Sequence, residues 1–180
     1  MRFVRLDDVP KLQSIYSYYV DSTVVSFEIE APDVEEFKRR VTSISQRDPY
    51  LVYCENDEPL GYAYAHPAFE RAAYAWCAET TVYVDPQARS RGIGRILYRR
   101  LVDYLSRQGY KILYAVVVAE NEESCAFHLK NGFHRVALFP KAGFKLGRWL
   151  DVVWFERILG AFPSEPKRPI SIKDVLKEGE

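Results

Sequence analysis

At 180 residues, with 48% hydrophobic and 28% charged side chains, the chain has the length and composition of one soluble domain with a sizeable core. Its 25 Lys and Arg balance 25 Asp and Glu, so no net field favours nucleic acid or an anionic membrane. Cys54, Cys77 and Cys125 show neither CxxC nor metal-ligand spacing, no apolar run is long enough to span a bilayer, and no signal-peptide segment opens the chain. The expected address is therefore a reducing one, the cytoplasm, with no metal bound.

Met1 to Leu6 reads as a short strand, and Asp7-Asp8 can cap a helix with Pro10 in its first turn and Leu12, Ile15, Tyr16 and Tyr19 on one face. Phe37, Val41 and Ile44 predict a second helix over 35–44. Strands follow at 50–53 and 60–65 around an Asn56-Asp57-Glu58 turn, and a long strand runs from Ala75 to Asp85. Ile93, Ile96, Leu97, Leu101, Val102 and Leu105 form one helical stripe, with Gly109 placed past its end. Residues 111–119 predict a strand buried on both faces, and Asn121 opens a helix that stops at Asn131-Gly132. Two last strands, at 133–139 and 150–158, flank a loop from Lys141 to Trp149. After Gly160 the composition turns to Pro, Lys, Glu and Ser. This predicts one domain over 1–160 and a peripheral, partly disordered polar tail over 161–180. The whole is an α/β chain with a mixed central sheet flanked by helices.

The segment Val82-Tyr83-Val84-Asp85-Pro86, followed by Arg89-Ser90-Arg91-Gly92-Ile93-Gly94-Arg95, places glycines between a strand and a helix start. Unpaired N–H groups and the positive end of the helix dipole make that turn a diphosphate cradle. A Walker loop is excluded because Arg95-Ile96 stands where Lys-Ser/Thr is needed. A dinucleotide fingerprint fails because Leu97 stands at the third glycine.

The block Val82–Gly94 resembles motif A of the GNAT acetyltransferases, and Asn121 with Asn131-Gly132-Phe133 resembles their motif B. The segments 18–28, 78–84 and 143–152 resemble the phosphinothricin-acetyltransferase-like branch, so the likeness covers nearly all of residues 1–158. The resemblance implies a GNAT fold and direct acetyl transfer from acetyl-CoA to the amine of a small amino-acid-like acceptor, of the phosphinothricin or methionine sulfoximine/sulfone type. It implies cofactor contacts at Val82, Tyr83, Val84, Arg89, Ser90, Arg91, Gly92, Ile93, Gly94, Arg95 and Asn121, and a homodimer.

The attacking amine must first lose a proton, which calls for a carboxylate or imidazole. Glu79 matches the family's proposed catalytic glutamate. His128 stands where most GNAT enzymes carry a tyrosine that protonates the leaving thiolate, and this branch has histidine there. An imidazole can act as acid or base near neutral pH. A backbone N–H of Val82–Val84 would support the developing oxyanion, provided that strand splays from 111–119. Asn121 is equally an ordinary helix cap. Phe27, Arg71, Tyr74 and Trp76 fall in segments that border the acceptor in related enzymes, and an arginine suits a carboxylate-bearing acceptor. Lys145, Arg148 and Trp149 belong to a branch-typical loop that closes the pocket or supports the dimer. His66 and His134 carry no motif and read as structural or surface residues. Another amine (polyamine, aminoglycoside or protein N-terminus) and a non-catalytic acetyl-CoA-binding module stay open as alternatives.

Overall fold

The computed structural model describes residues 1–177. Seven strands form one sheet in the order β1-β2-β3-β4-β5-β7-β6: β1 (Arg2–Phe3), β2 (Tyr50–Glu55), β3 (Glu58–Pro67), β4 (Cys77–Val84), β5 (Ile112–Val118), β6 (His134–Lys145) and β7 (Arg148–Ile158). All neighbours are antiparallel except β4 and β5. This agrees with the expected mixed sheet, because a parallel pair needs a crossover and α3 (Ile93–Gln108) supplies it.

The alternation of β3 decides what each face carries. Ala63 and Ala65 are small and lie against Leu97, Leu101 and Leu105 of α3, while Tyr62 turns to the other face. There it meets α1 (Val9–Ser22) and α2 (Val34–Ser45) through Leu12, Tyr16, Phe37 and Val41. Gly109 adopts the left-handed conformation past α3 and bonds back to Leu105 and Ser106, as its position in the sequence suggests.

Five expectations change. The opening strand is only Arg2–Phe3, because the Asp8 carboxylate takes two bonds at 2.7 Å from the Arg2 guanidinium and a third from the Arg5 amide. Asp8 therefore does not cap α1 with its side chain. Strand β5 is not buried on both faces: Val116 is exposed, since no helix covers that side of β5 and β7, and Tyr114 meets Phe69 and Trp154 there instead.

The expected loop from Lys141 to Trp149 is mostly strand. A bulge between Phe139 and Gly143 lets β6 continue to Lys145, and Leu146-Gly147, both at positive φ, make a two-residue hairpin turn. The segment after Gly160 is not peripheral throughout. Ile172 and Val175 of α5 (Ile172–Lys177) sit in the α3-side core, and the Pro169 and Ile170 carbonyls accept bonds from Arg47 and Gln108. Polar composition hid this because only a few apolar side chains, Ile170, Ile172 and Val175, anchor it. Residues 178–180 of the expected tail lie outside the described residues.

Candidate active site

The site begins where β4 and β5 part. Their pairing covers only Cys77, Ala78 and Glu79 against Ile112, Leu113 and Tyr114, yet β4 runs on to Val84 and β5 to Val118. At the fork the Thr80 hydroxyl donates to the Tyr114 carbonyl at 3.0 Å. That uses its one proton, so the short 2.5 Å contact with Tyr98 has the Tyr98 hydroxyl as donor. Side chains thus take over from the ladder, and the splay that the chemistry requires is present.

Two cavities share this opening. The larger, about 460 Å³, is lined by Val82, Tyr83, Val84, Arg89, Ser90, Gly92, Ile93, Gly94 and Arg95, with Asn121, Ser124 and Phe127 opposite. Gly92 caps α3 at φ 77° with no side-chain cap and nothing within 4 Å of a would-be Cβ, so the leading helix amides are left for a ligand. The Arg89 guanidinium lies 5.2 Å from the Tyr19 ring centroid and bonds the Tyr19 hydroxyl. The expected cofactor residues meet here, except one. Arg91 points away and holds both oxygens of Glu55 at 2.6 Å.

Asn121 caps a helix and also lines both cavities. Its side-chain oxygen accepts from the Ser124 amide at 3.1 Å, capping α4 (Glu122–Lys130), and its amide group is left free to donate into the two cavities it lines.

The second cavity, about 270 Å³, brings together Glu79, His128, Phe27, Tyr64, His66 and Thr81. Burial pushes the Glu79 carboxyl above the ordinary glutamate value, while the neighbouring His66 charge pulls it down. His128 is 4% exposed and boxed by Tyr98, Phe127, Phe133 and Phe155. That apolar box pushes its pKa down to about 4, so the imidazole is neutral at pH 7 and can donate a hydrogen bond rather than store a proton. Its Nδ1 is enclosed without a hydrogen-bond partner, which leaves Nε2 as the nitrogen able to act at the cavity.

The rim is held by the β6–β7 hairpin. Lys145 is buried, and its ammonium donates to the Val20 and Ser26 carbonyls at 2.6 and 2.7 Å, fixing the segment that lines both cavities. Gly143 is needed beside it, since a Cβ there would lie 2.2 Å from the Phe27 ring. Arg148 clasps Glu120 at the mouth of the larger cavity, and Trp149 is exposed.

Three expected acceptor residues lie outside both cavities. Arg71 is exposed before a 3₁₀ turn over Ala72–Tyr74, and Tyr74 packs on Phe69 at 4.7 Å. Trp76 donates to the Lys167 carbonyl at 2.8 Å and so anchors the C-terminal segment. His66, expected to be structural or at the surface, lines the second cavity, as do Tyr64 and Thr81, to which the sequence assigned no role. The alternation of β3 already places Tyr64 and His66 on one face, but their partner on β4 depends on a register across the intervening loop.

Residues 1–154 match the model of the acetyltransferase (GNAT) domain. The chain belongs to the GNAT acetyltransferase family. It is 38% identical over 157 residues to a phosphinothricin N-acetyltransferase of Streptomyces coelicolor, covering 85% of this chain and 92% of that protein. It is 29% identical over 160 residues to an L-methionine sulfoximine/L-methionine sulfone acetyltransferase of Salmonella typhimurium, covering 87% and 92%. Among solved structures, a GNAT superfamily phosphinothricin acetyltransferase from Sinorhizobium meliloti in complex with AcCoA superposes with a TM-score of 0.89 at 32% identity, covering 94% of this chain and 93% of that one.

Proposed function

We propose that this GNAT chain is an acetyl-CoA-dependent N-acetyltransferase that acetylates the amino group of a small amino-acid-like acceptor of the phosphinothricin or methionine sulfoximine/sulfone type. The observation that carries the reading is the fork itself. Glu79 lies at the point where β4 leaves β5, and the two cavities on either side share Val82, Tyr83 and Asn121. A thioester in the larger cavity and an amine in the smaller one would meet along the free edge of β4.

The residues fit the cofactor. The uncapped start of α3 at Gly92–Arg95 supplies backbone donors for a diphosphate, and the unpaired edge of Val82–Val84 offers backbone groups to an extended amide-containing arm. Acetyl-CoA supplies the activated acetyl group as a co-substrate. Glu79 removes a proton from the acceptor ammonium, a backbone N–H of Val82–Val84 supports the developing oxyanion, and neutral His128 donates a hydrogen bond to the leaving sulfur, whose proton comes from the second N–H lost by the attacking nitrogen. The 270 Å³ cavity suits an amino acid rather than a long polycation. Arg71, on the exposed β3–β4 loop, is the arginine this reading assigns to the acceptor carboxylate.

Exposed Leu138, Phe139, Phe144, Leu146 and Trp149 on the β6–β7 hairpin are the surface through which two copies pair as a homodimer. Three free cysteines suit the reducing cytoplasm.

Thiol release from acetyl-CoA across a panel of amines tests the reading. Release with phosphinothricin or methionine sulfone, lost in Glu79→Gln, supports it. Release only with polyamines or aminoglycosides, or cofactor binding without acceptor-dependent release, overturns it.

A further inference from the structure

Acetyl transfer from a thioester to an ammonium releases one proton per turnover, and Glu79, which receives it on the reading above, is largely withdrawn from water. The proton needs a way out of the fork. Directly across the β3–β4 ladder, His66 is the Cα partner of Glu79. Directly opposite residues on adjacent strands bring their side chains to one face, with Cβ atoms about 5 Å apart. Both side chains line the acceptor cavity, and both are half-buried.

The imidazole is also set in a definite form. Its Nδ1 lies 3.0 Å from the Pro67 carbonyl, which can only accept, so Nδ1 carries the hydrogen and Nε2 holds the free lone pair. The Tyr64 ring packs beside it at 6.2 Å and restricts its rotation.

We propose that His66 is the proton partner of Glu79, a positioning residue that takes from it the proton removed from the acceptor. One N–H bond of the ammonium breaks as an O–H bond forms on Glu79. That O–H then breaks as a water bridging the pair relays the proton and an N–H forms on His66 Nε2, and the imidazolium hands the proton to bulk water. No oxidant, reductant or further reactant is required.

The other charges around the pair leave this role to His66. From the segment after α1 and from α2, Glu28 and Arg40 line a small aromatic cavity behind the imidazole, but they neutralise one another at 2.6 Å. Asp48, in the turn before β2, faces His66 from further off with its carboxylate committed to the Tyr110 hydroxyl at 2.8 Å. On the β5 side, the Cα partner of Glu79 is Tyr114, and His128 of α4 is neutral. His66 is therefore the basic side chain of the acceptor cavity that stands directly across from Glu79.

This inference rests on Glu79 as the base, and the test separates the two. The pH profile of kcat/KM is recorded between roughly pH 5.5 and 9.5 for the wild-type protein, His66→Gln, His66→Asn and Glu79→Gln, with acetyl-CoA and methionine sulfone as substrates. Gln keeps the length to Nε2 and Asn keeps the donor to Pro67, while neither titrates; thermal unfolding identifies whichever is folded. The expected result is an acid limb displaced to higher pH by about half a unit or more in the His66 variants, because the carboxyl loses the neighbour that lowers it.

A limb coincident with wild type overturns the proposal, including when the rate falls equally at every pH. A rise in KM alone, with the limb unmoved, makes His66 a carboxylate-binding residue and also overturns it. Those two outcomes leave the base reading intact if Glu79→Gln is inactive. Full activity of Glu79→Gln removes the base itself.

Discussion

The Thr80 hydroxyl donates to the Tyr114 carbonyl 3.0 Å away, one residue beyond the last backbone pair between β4 and β5. It is the pin at the base of the fork, and the Tyr98 hydroxyl of α3 secures it from the helix side. Without such a pin, the last paired residues would carry the whole strain of the opening. Removing it should loosen the strand edge that faces the cofactor.

Thr80→Val preserves shape but leaves the buried Tyr98 hydroxyl and the Tyr114 carbonyl without partners. The expected loss is about 1–3 kcal/mol of stability, read by urea unfolding. Tyr98→Phe keeps the bond to Tyr114 and should cost less, about 1 kcal/mol. An equal loss in both variants would show that the Thr80–Tyr114 bond contributes nothing.

His128 makes stability depend on pH in a definite direction. Its folded pKa is pushed down to about 4 against an ordinary value of 6.5. Between those values the unfolded chain holds a proton that the folded one does not, so stability is full above 6.5 and falls as pH drops towards 4. The loss attributable to this group is about 3 kcal/mol across that window. In His128→Leu, which fits the same aromatic box, the urea midpoint should change less between pH 7.5 and pH 4.5 than in wild type. Equal changes would place the acid sensitivity elsewhere.

Lys145 holds the Val20–Phe27 segment against the hairpin by two charged hydrogen bonds. Lys145→Met should cost about 2 kcal/mol or more, since two carbonyls lose their donor in a buried place. Because that segment lines both cavities, KM should rise for acetyl-CoA and for the acceptor together. A variant with lower stability but unchanged KM values would confine Lys145 to a structural role.

Arg71 lies outside the acceptor cavity as the loop stands. If it meets the acceptor carboxylate, Arg71→Ala should raise KM for methionine sulfone about tenfold or more, as expected for loss of a charge-assisted pair. The KM for the corresponding carboxamide should stay put. Equal shifts for the two acceptors would remove the carboxylate contact.

Local signals were legible wherever a short stretch of chain decides its own geometry. Gly92 and Gly94 marked the cradle, the stripe from Ile93 to Leu105 marked α3, and Gly109 marked its end. Where two segments distant in sequence must agree, the reading failed or fell silent. Lys141–Trp149 looked like a loop because its bulge and turn residues outweigh its strand residues, and only the partner strand β7 shows that pairing resumes at Gly143. The apolar residues of α5 looked too few to matter until the core placed Ile172 and Val175 against α3.

The amino-acid sequence by itself determined the family, the order of elements and the residues Glu79, His128 and Asn121, because motifs and periodicities are properties of neighbouring residues. The tertiary structure decided what those residues can do. Strand register set His66 opposite Glu79, early termination of one ladder opened the fork, and an aromatic box left His128 uncharged. Register and desolvation are sums over residues far apart along the chain, so they exist only once the chain has folded.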